Sequence, residues 1–379
     1  MNREHPPSDS AKENGAWTQA FNKDASPHSQ SNLTDRHARK SSKLFGSKLQ
    51  IGLWFVLLST IALSIHNVIV RVVIGQPINL FGLFSFGGFI QPSLGNSLLI
   101  LWMRMLVVVP LMMGISGSIY PNVWQDIQRL LINRDRRPLF TIIASGGFLF
   151  LSQILIYTAI AQIGPGIAVT ILFMYPLVTV PLAWWLFGDR PTRLRLSVMV
   201  VILLGVILTA TPSLKTGAAM GSGAIVAAMS GVAFALYLIL MQISFSFASA
   251  KFKSIHPVPV SLIQFFTILV LSSLILSSPI ELGVAIVPNN RAGFFLGALV
   301  LGALTLIGYL ANNFSVRLIG AAQSSIVASS APVITAVLAA IVLQTQLQSV
   351  QAIGILLVTI GVVALSFERM RKSSKLSAK

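Results

Sequence analysis

The chain has no cysteine. Disulfides, a thiolate nucleophile and cysteine-based metal sites are therefore excluded, and the redox compartment leaves no trace. Charge is also scarce: Asp, Glu, Lys and Arg make up 10% of the 379 residues, against about 25% in ordinary soluble domains. Acid is scarcest, with 10 Asp and Glu against 27 Lys and Arg. Apolar residues reach 54% and mean hydropathy is +0.80. Together these values exclude a soluble globular domain and an intrinsically disordered chain. The formal charge of +17 would suggest nucleic acid on a soluble domain. On a chain this apolar, its meaning depends on where the charges sit.

What the chain has instead is long apolar runs. A membrane-spanning helix needs ~20 mostly apolar residues. Ten stretches qualify: 51–73, 97–118, 139–162, 165–187, 194–212, 222–247, 258–278, 292–317, 320–343 and 350–367. The runs are continuous rather than alternating, which favours helices over a barrel. Residues 1–49 are polar, with no helical apolar period and no apolar stretch after a short basic start. They read as a disordered, basic cytoplasmic tail rather than a signal peptide. A second basic tail follows at 368–379.

The basic residues give the orientation. With the N-terminus inside, 23 of the 27 fall on the inner side. They lie in the tails, in loop 119–138 (Arg129, Arg134, Arg136, Arg137), in loop 188–195 (Arg190, Arg193, Arg195), at Lys251 and Lys253, and at Arg317. Lys215 and Arg291 fall outside, and Arg71 and Arg104 lie within spans. Such a bias places both termini in the cytoplasm of a multi-pass plasma (inner) membrane protein. Trp54, Trp124, Trp184 and Trp185 gather near the same inner interface, where indoles prefer to sit. Within 119–138, the spacing of Val123, Trp124, Ile127, Leu130 and Leu131 predicts a short helix on the inner surface. Residues 75–96, apolar but punctuated by Gly and Pro, read as an external loop that packs on the bundle or dips into the membrane interface, with ordinary packing and gating as its two candidate roles.

Acid is absent where chemistry would want it. Glu4, Asp9, Glu13, Asp24, Asp35, Asp126, Asp135, Asp189, Glu281 and Glu368 all lie outside the apolar runs. Intramembrane carboxylates commonly relay protons or pair with cationic cargo, so both roles are disfavoured. No acid pair serves hydrolysis, no carboxylate cluster holds a hard metal, and no Gly-Lys-Ser/Thr loop cradles ATP. The expectation is no enzyme activity, no cofactor and no metal. The partners expected are membrane lipids and a small-molecule substrate, not nucleic acid, and the sequence leaves the oligomeric state open, a monomer included.

The chain also repeats itself. A shift of 156 carries Ile163-Gly164 onto Ile319-Gly320, Pro176 onto Pro332 and Gly205 onto Gly361. A shift of 171 relates the first span to the sixth more weakly. Two repeats follow, 50–212 and 222–367, each of five spans. An odd number of spans forces the halves into opposite orientations, the common plan of secondary transporters. The expected fold is an all-α integral membrane protein of ten transmembrane helices in two inverted five-helix repeats.

These features resemble the drug/metabolite transporter superfamily, specifically EamA-type transporters. The resemblance runs over about 51–367 and is carried by the Arg near the start of the second span (Leu101-Trp102-Met103-Arg104). Tyr157-Thr158-Ala159 and the prolines Pro176 and Pro332 also match. The family's acidic turn is kept only as Gly188-Asp189-Arg190-Pro191, while Gln344-Thr345-Gln346-Leu347 has no acid. The turns therefore read as structural. The resemblance implies efflux of amino acids or related metabolites.

The residues that polar content singles out inside the spans are His66, Asn67, Arg104, Gln153, Tyr157, Tyr175, Tyr237, Gln264, Tyr309, Asn312 and Asn313. Thr60, Ser64, Asn67 and Arg71 share one face of the first span. Two readings stand for the guanidinium groups. His66, Arg71 and Arg104 could face an anionic or zwitterionic solute, or Arg71 snorkels and Arg104 binds carbonyls. His66 could carry a proton or serve as a structural hydrogen-bonding group. Pro176 and Pro332 each free the carbonyl four residues earlier, at Leu172 and Ala328, and act as kink or hinge. The function expected is secondary transport of small polar metabolites by alternating access. The alternatives are a non-transporting membrane scaffold or sensor using its basic tail, and a lipid or phosphorylated-metabolite translocator.

Overall fold

The computed structural model describes residues 27–74, 78–80, 84–91, 93–163, 165–188, 191–214, 220–247, 255–279, 283–284, 291–328, 330–343 and parts of 349–360. It divides into Leu49–Glu368 and a second unit of Met1–Lys48 with Arg369–Lys379. Twelve helices are found among the described residues: α1 (Pro27–Val73), α2 (Leu94–Ile119), α3 (Val123–Ile132), α4 (Arg137–Ile163), α5 (Pro165–Leu172), α6 (Pro176–Phe187), α7 (Arg193–Leu214), α8 (Met220–Ser246), α9 (Pro257–Leu276), α10 (Arg291–Ile319), α11 (Ala321–Ala328) and α12 (Ala331–Val342). Among them, eight stretches are long and apolar enough to cross a membrane. The expected fifth span is the helix α7. Most of the expected tenth, 350–367, lies outside the described residues, as do Lys215, the Asp189-Arg190 turn and the 344–347 turn.

Two expectations of detail change. The stretches 165–187 and 320–343 are not single helices: one turn separates α5 from α6 and another separates α11 from α12. Proline explains both, since its ring excludes the helical hydrogen bond to the residue four earlier. Pro176 opens α6 and Pro332 lies in the first turn of α12. The Leu172 carbonyl that Pro176 frees accepts from Tyr175 N at 3.0 Å instead. The two breaks stand at equivalent places: α5 and α11 are 156 residues apart at both their first and last residues. Gly320, at φ 82°, makes the left-handed turn between α10 and α11. The Gln242 side chain then accepts from Ala321 N at 2.6 Å, capping α11. At the other end of the chain, α1 begins at Pro27, inside the stretch that composition assigns to the tail. Its Lys48–Val73 portion is the apolar span.

Small residues let the helices approach. The α4–α8 pair closes over Ser152 and Ser230, whose hydroxyls are 3.1 Å apart, and Ser230 also donates to the Ser152 carbonyl at 2.7 Å. Hydrophobic attraction between helices is absent in lipid, so such close backbone contact carries association. The 75–96 segment contributes the one pair of strands among the described residues, β1 (Ile78–Leu80) and β2 (Phe84–Phe86), antiparallel with Asn79 opposite Ser85. After the hairpin, Phe89 and Ile90 are buried, and Ser93 donates to the Gly283 carbonyl at 3.0 Å. The loop is thus packed on the helices.

At the opposite, arginine-bearing end, the short helix expected within 119–138 is α3. Val123 and Leu130 are buried, while Trp124 and Leu131 remain exposed. An aromatic column ties this end together. The Tyr120 ring stacks on His256 at 4.1 Å, His256 meets Phe314 edge-on at 5.5 Å, and Phe314 stacks on Phe55 at 5.1 Å. Tyr120 donates to Asp126 at 2.7 Å, and Asp126 pairs with Arg129 at 3.3 Å. Burial, then the hydrogen bond to Asp126, pushes the Tyr120 phenol above its ordinary range. Burial, then the Arg317 charge, lowers His256 to about 4 against the opposing pull of Asp126. His256 Nδ1 also accepts from Val258 N at 3.3 Å, capping α9, and a proton there would remove the cap.

A pH dependence follows. In the unfolded chain His256 takes a proton below about 6.5, but in the folded chain only near 4. Between these values the unfolded state binds more protons, so stability falls as pH falls through that window. Thermal unfolding in detergent should show this fall, and His256→Asn, which keeps a capping acceptor without the titration, should flatten it. An unchanged slope in the variant would remove His256 as the cause.

Candidate functional site

A charged side chain inside an apolar bundle has to be surrounded by groups that accept its protons. Arg104, more than two turns into α2, is fully buried. Its Nη1 donates to His66 Nε2 of α1 at 2.7 Å and, closely, to the Tyr157 hydroxyl of α4. Its Nη2 donates to Gln153 Oε1, also of α4, at 2.7 Å. The guanidinium also lies 5.3 Å from the Tyr157 ring centroid. Because arginine only donates, His66 Nε2 must accept, so the imidazole is neutral here and its other nitrogen carries the proton. The Tyr157 hydroxyl stands 3.2 Å from the same His66 nitrogen. Gln153 passes the connection on, its Nε2 donating closely to the Tyr309 hydroxyl of α10.

A second polar cluster adjoins the first. Asn312 Nδ2 donates to the Tyr237 hydroxyl at 3.2 Å, and Tyr237 donates to Asn313 Oδ1 at 2.6 Å. Asn313 Nδ2 donates to Ser261 Oγ at 2.7 Å and to Gln264 Oε1 at 2.8 Å. Gln264 Nε2 donates to Ser145 Oγ at 2.8 Å. The chain ends on backbone, since Ser145 donates to the Ile142 carbonyl at 2.7 Å and Ser261 to the Pro257 carbonyl at 2.9 Å. Every bond runs in one direction, a polarised arrangement that strengthens its members. The clusters meet where the Tyr237 and Tyr309 rings cross at 6.4 Å. Tyr175 joins through Phe234, at 4.9 Å, and Phe234 touches Tyr237 at 5.2 Å.

Ten of the eleven residues singled out by sequence therefore stand in these two groups or on their aromatic edge. Asn67 is half-buried and bonds to the His66 side chain. Of the two readings open for Arg71, the grouping with His66 and Arg104 does not form: Arg71 Nη1 donates to the Ile74 carbonyl at 2.8 Å and caps its own helix. Ser145 and Ser261 complete the second cluster, and sequence does not single them out. A serine on an apolar helix gives no signal of its own, because its usual partner is the carbonyl one turn back. Thr170 of α5, Thr335 of α12 and Arg104 Nε are buried with no hydrogen-bond partner among the described residues. No group of three His, Asp or Glu suited to a metal is found among the described residues.

Known proteins match this architecture. The EamA-like transporter family matches residues 81–211 and 221–367. An uncharacterized transporter of Synechocystis sp. is 36% identical over 335 residues, covering 86% of this chain and 95% of its own. A solved crystal structure, 18% identical, covers 83% of this chain and 96% of its own with a TM-score of 0.54, a likeness of fold. With the family covering both halves of the sequence and the apolar helices to cross a bilayer, this chain belongs to the EamA-like transporter family and is a multi-pass membrane transporter.

Proposed function

We propose that the chain is a secondary transporter that exports small polar metabolites, amino acids or related solutes, by alternating access between two inverted five-helix halves. The observation that carries this is the first polar cluster. His66, Arg104, Gln153 and Tyr157 come from 50–212, and Tyr309 comes from 222–367. A buried charge in a membrane bundle is costly and marks a transport pathway more often than a packing contact. The helix breaks at equivalent places in both halves support the repeat, since interrupted helices flank the midplane sites of such transporters. The tenth helix completes the second half, 350–367, and both termini lie in the cytoplasm of the plasma membrane. The outward direction rests on the family resemblance.

The test is flux from proteoliposomes across a panel of labelled amino acids and related metabolites. Saturable movement of at least one class is expected. Arg104→Gln, which removes the buried charge at the centre of the cluster, should lower that flux at least tenfold. Full flux from that variant would take the cluster out of the pathway.

A further inference from the structure

We propose that the Nε–Nη2 edge of Arg104 receives the carboxylate of the transported solute, which displaces the Gln153 amide and so releases the link from Gln153 to Tyr309. This rests on the transporter reading and names the chemistry of its substrate.

Charge balance points to an anion. Arg104 is fully buried, and its partners His66, Tyr157 and Gln153 are neutral. No Asp or Glu of the sequence lies in any of the eight apolar spans. Neutral acceptors satisfy donors but leave the charge itself uncompensated, and a buried charge without a counter-ion is costly. An incoming anion supplies the missing charge.

The geometry of the free donor selects its class. Nη1 is occupied twice, by His66 and Tyr157. Nη2 is occupied by Gln153, and Nε is buried without a partner among the described residues. The Nε and Nη2 hydrogens share one edge of the planar guanidinium, and two carboxylate oxygens match that edge. Only Gln153 has to move for a carboxylate to grip it. One guanidinium balances one negative charge. A doubly charged phosphate would leave a buried negative charge, because Arg71, the other arginine singled out near this site, is turned to the Ile74 carbonyl.

The displacement has a consequence for motion. Gln153 joins Arg104 to Tyr309 of α10 through its two ends. A carboxylate on Nη2 takes the Gln153 Oε1 partner away and loosens the amide that holds Tyr309. Binding thereby weakens a bond between the sequence halves, which is differential stabilisation of the state in which they move.

The test uses the purified full chain in detergent, with thermal unfolding read against matched probes: L-leucine and L-leucinamide, isocaproate and isocaproamide, and isoamyl phosphate. The carboxylates should protect the protein at concentrations about tenfold or more below their amides and the phosphate. Arg104→Gln should abolish the preference. Gln153→Glu gives a second line that does not depend on that variant folding. It places a carboxylate on Nη2 permanently, so it should raise the unfolding temperature and erase the response to added carboxylate. Equal protection by amides, protection by phosphate alone, no protection by any probe, or a wild-type response in Gln153→Glu would each overturn the proposal. Flux separates it from the transporter reading. Carboxylate protection without flux of any probe would keep the site and remove transport, whereas equal flux of carboxylates and amides would keep transport and remove the site.

Discussion

Gly231→Val is expected to abolish recovery of folded, monodisperse protein from detergent. Gly231 lies in α8 opposite the end of α5, and a β-carbon there would stand 2.8 Å from the Leu172 carbonyl oxygen. The obstacle is backbone, so no side chain can rotate away. The reason for the close approach runs back to Pro176. By excluding its helical hydrogen bond it leaves the Leu172 carbonyl free of the helix ladder, and the break between α5 and α6 brings that carbonyl against α8. Moving it would disturb the turn in which Tyr175 N holds it at 3.0 Å, and with it the Tyr175 ring that packs on Phe234. Overpacking a tight site costs about 1–3 kcal/mol per small insertion and more where the backbone cannot yield. Gly231→Ala should therefore lower the unfolding temperature measurably and valine much further. Gly147 is the control, because a β-carbon there would meet nothing within 4 Å. In its helix, alanine should be neutral or stabilising by up to about 1 kcal/mol. Equal behaviour of the two sites would show that the α5–α8 approach is not tight.

The same proline shows how far sequence reaches. Pro176 and Pro332 predict a bend at one shift of 156 residues, and the structure goes further, with the helix broken at each place, because proline acts on its own backbone and needs no neighbour. Polar residues in apolar helices are legible too, since lipid makes each of them conspicuous. Their grouping is not. Repeat symmetry pairs His66 with Tyr237, yet His66 bonds to Arg104 and Tyr157 while Tyr237 bonds to Asn312 and Asn313. Which faces meet depends on helix rotation and crossing, and the partners lie as far apart as Gln153 and Tyr309. Arg71 and Arg104 look alike as arginines in spans. Only position along the helix separates a cap on Ile74 from a fully buried charge. The Phe55–Phe314–His256–Tyr120 column is invisible in sequence for a related reason: an aromatic in an apolar run reads the same whether it faces lipid or a neighbouring ring.

Asn313→Leu is expected to destabilise the bundle more than any other single polar replacement in the second cluster. Asn313 is fully buried and makes three bonds, accepting from Tyr237 and donating to Ser261 and Gln264. A single interhelical hydrogen bond in lipid averages only about 0.6 kcal/mol, because unfolded helices in the membrane find other partners. The larger cost comes from what is left behind. Leucine orphans the Tyr237 hydroxyl proton and Gln264 Oε1, and a buried group stripped of its partner costs about 1–3 kcal/mol. Ser261 is spared, since its proton already goes to the Pro257 carbonyl. The loss therefore belongs to the two orphans and not to the serine. That assignment is testable by non-additivity. Adding Gln264→Leu to Asn313→Leu removes one orphan, and Ser145 keeps its bond to the Ile142 carbonyl. The double variant should unfold at a higher temperature than the sum of the single losses requires. Strict additivity of the two would mean that the chain of bonds from Asn312 to Ser145 is a row of independent contacts rather than one connected network.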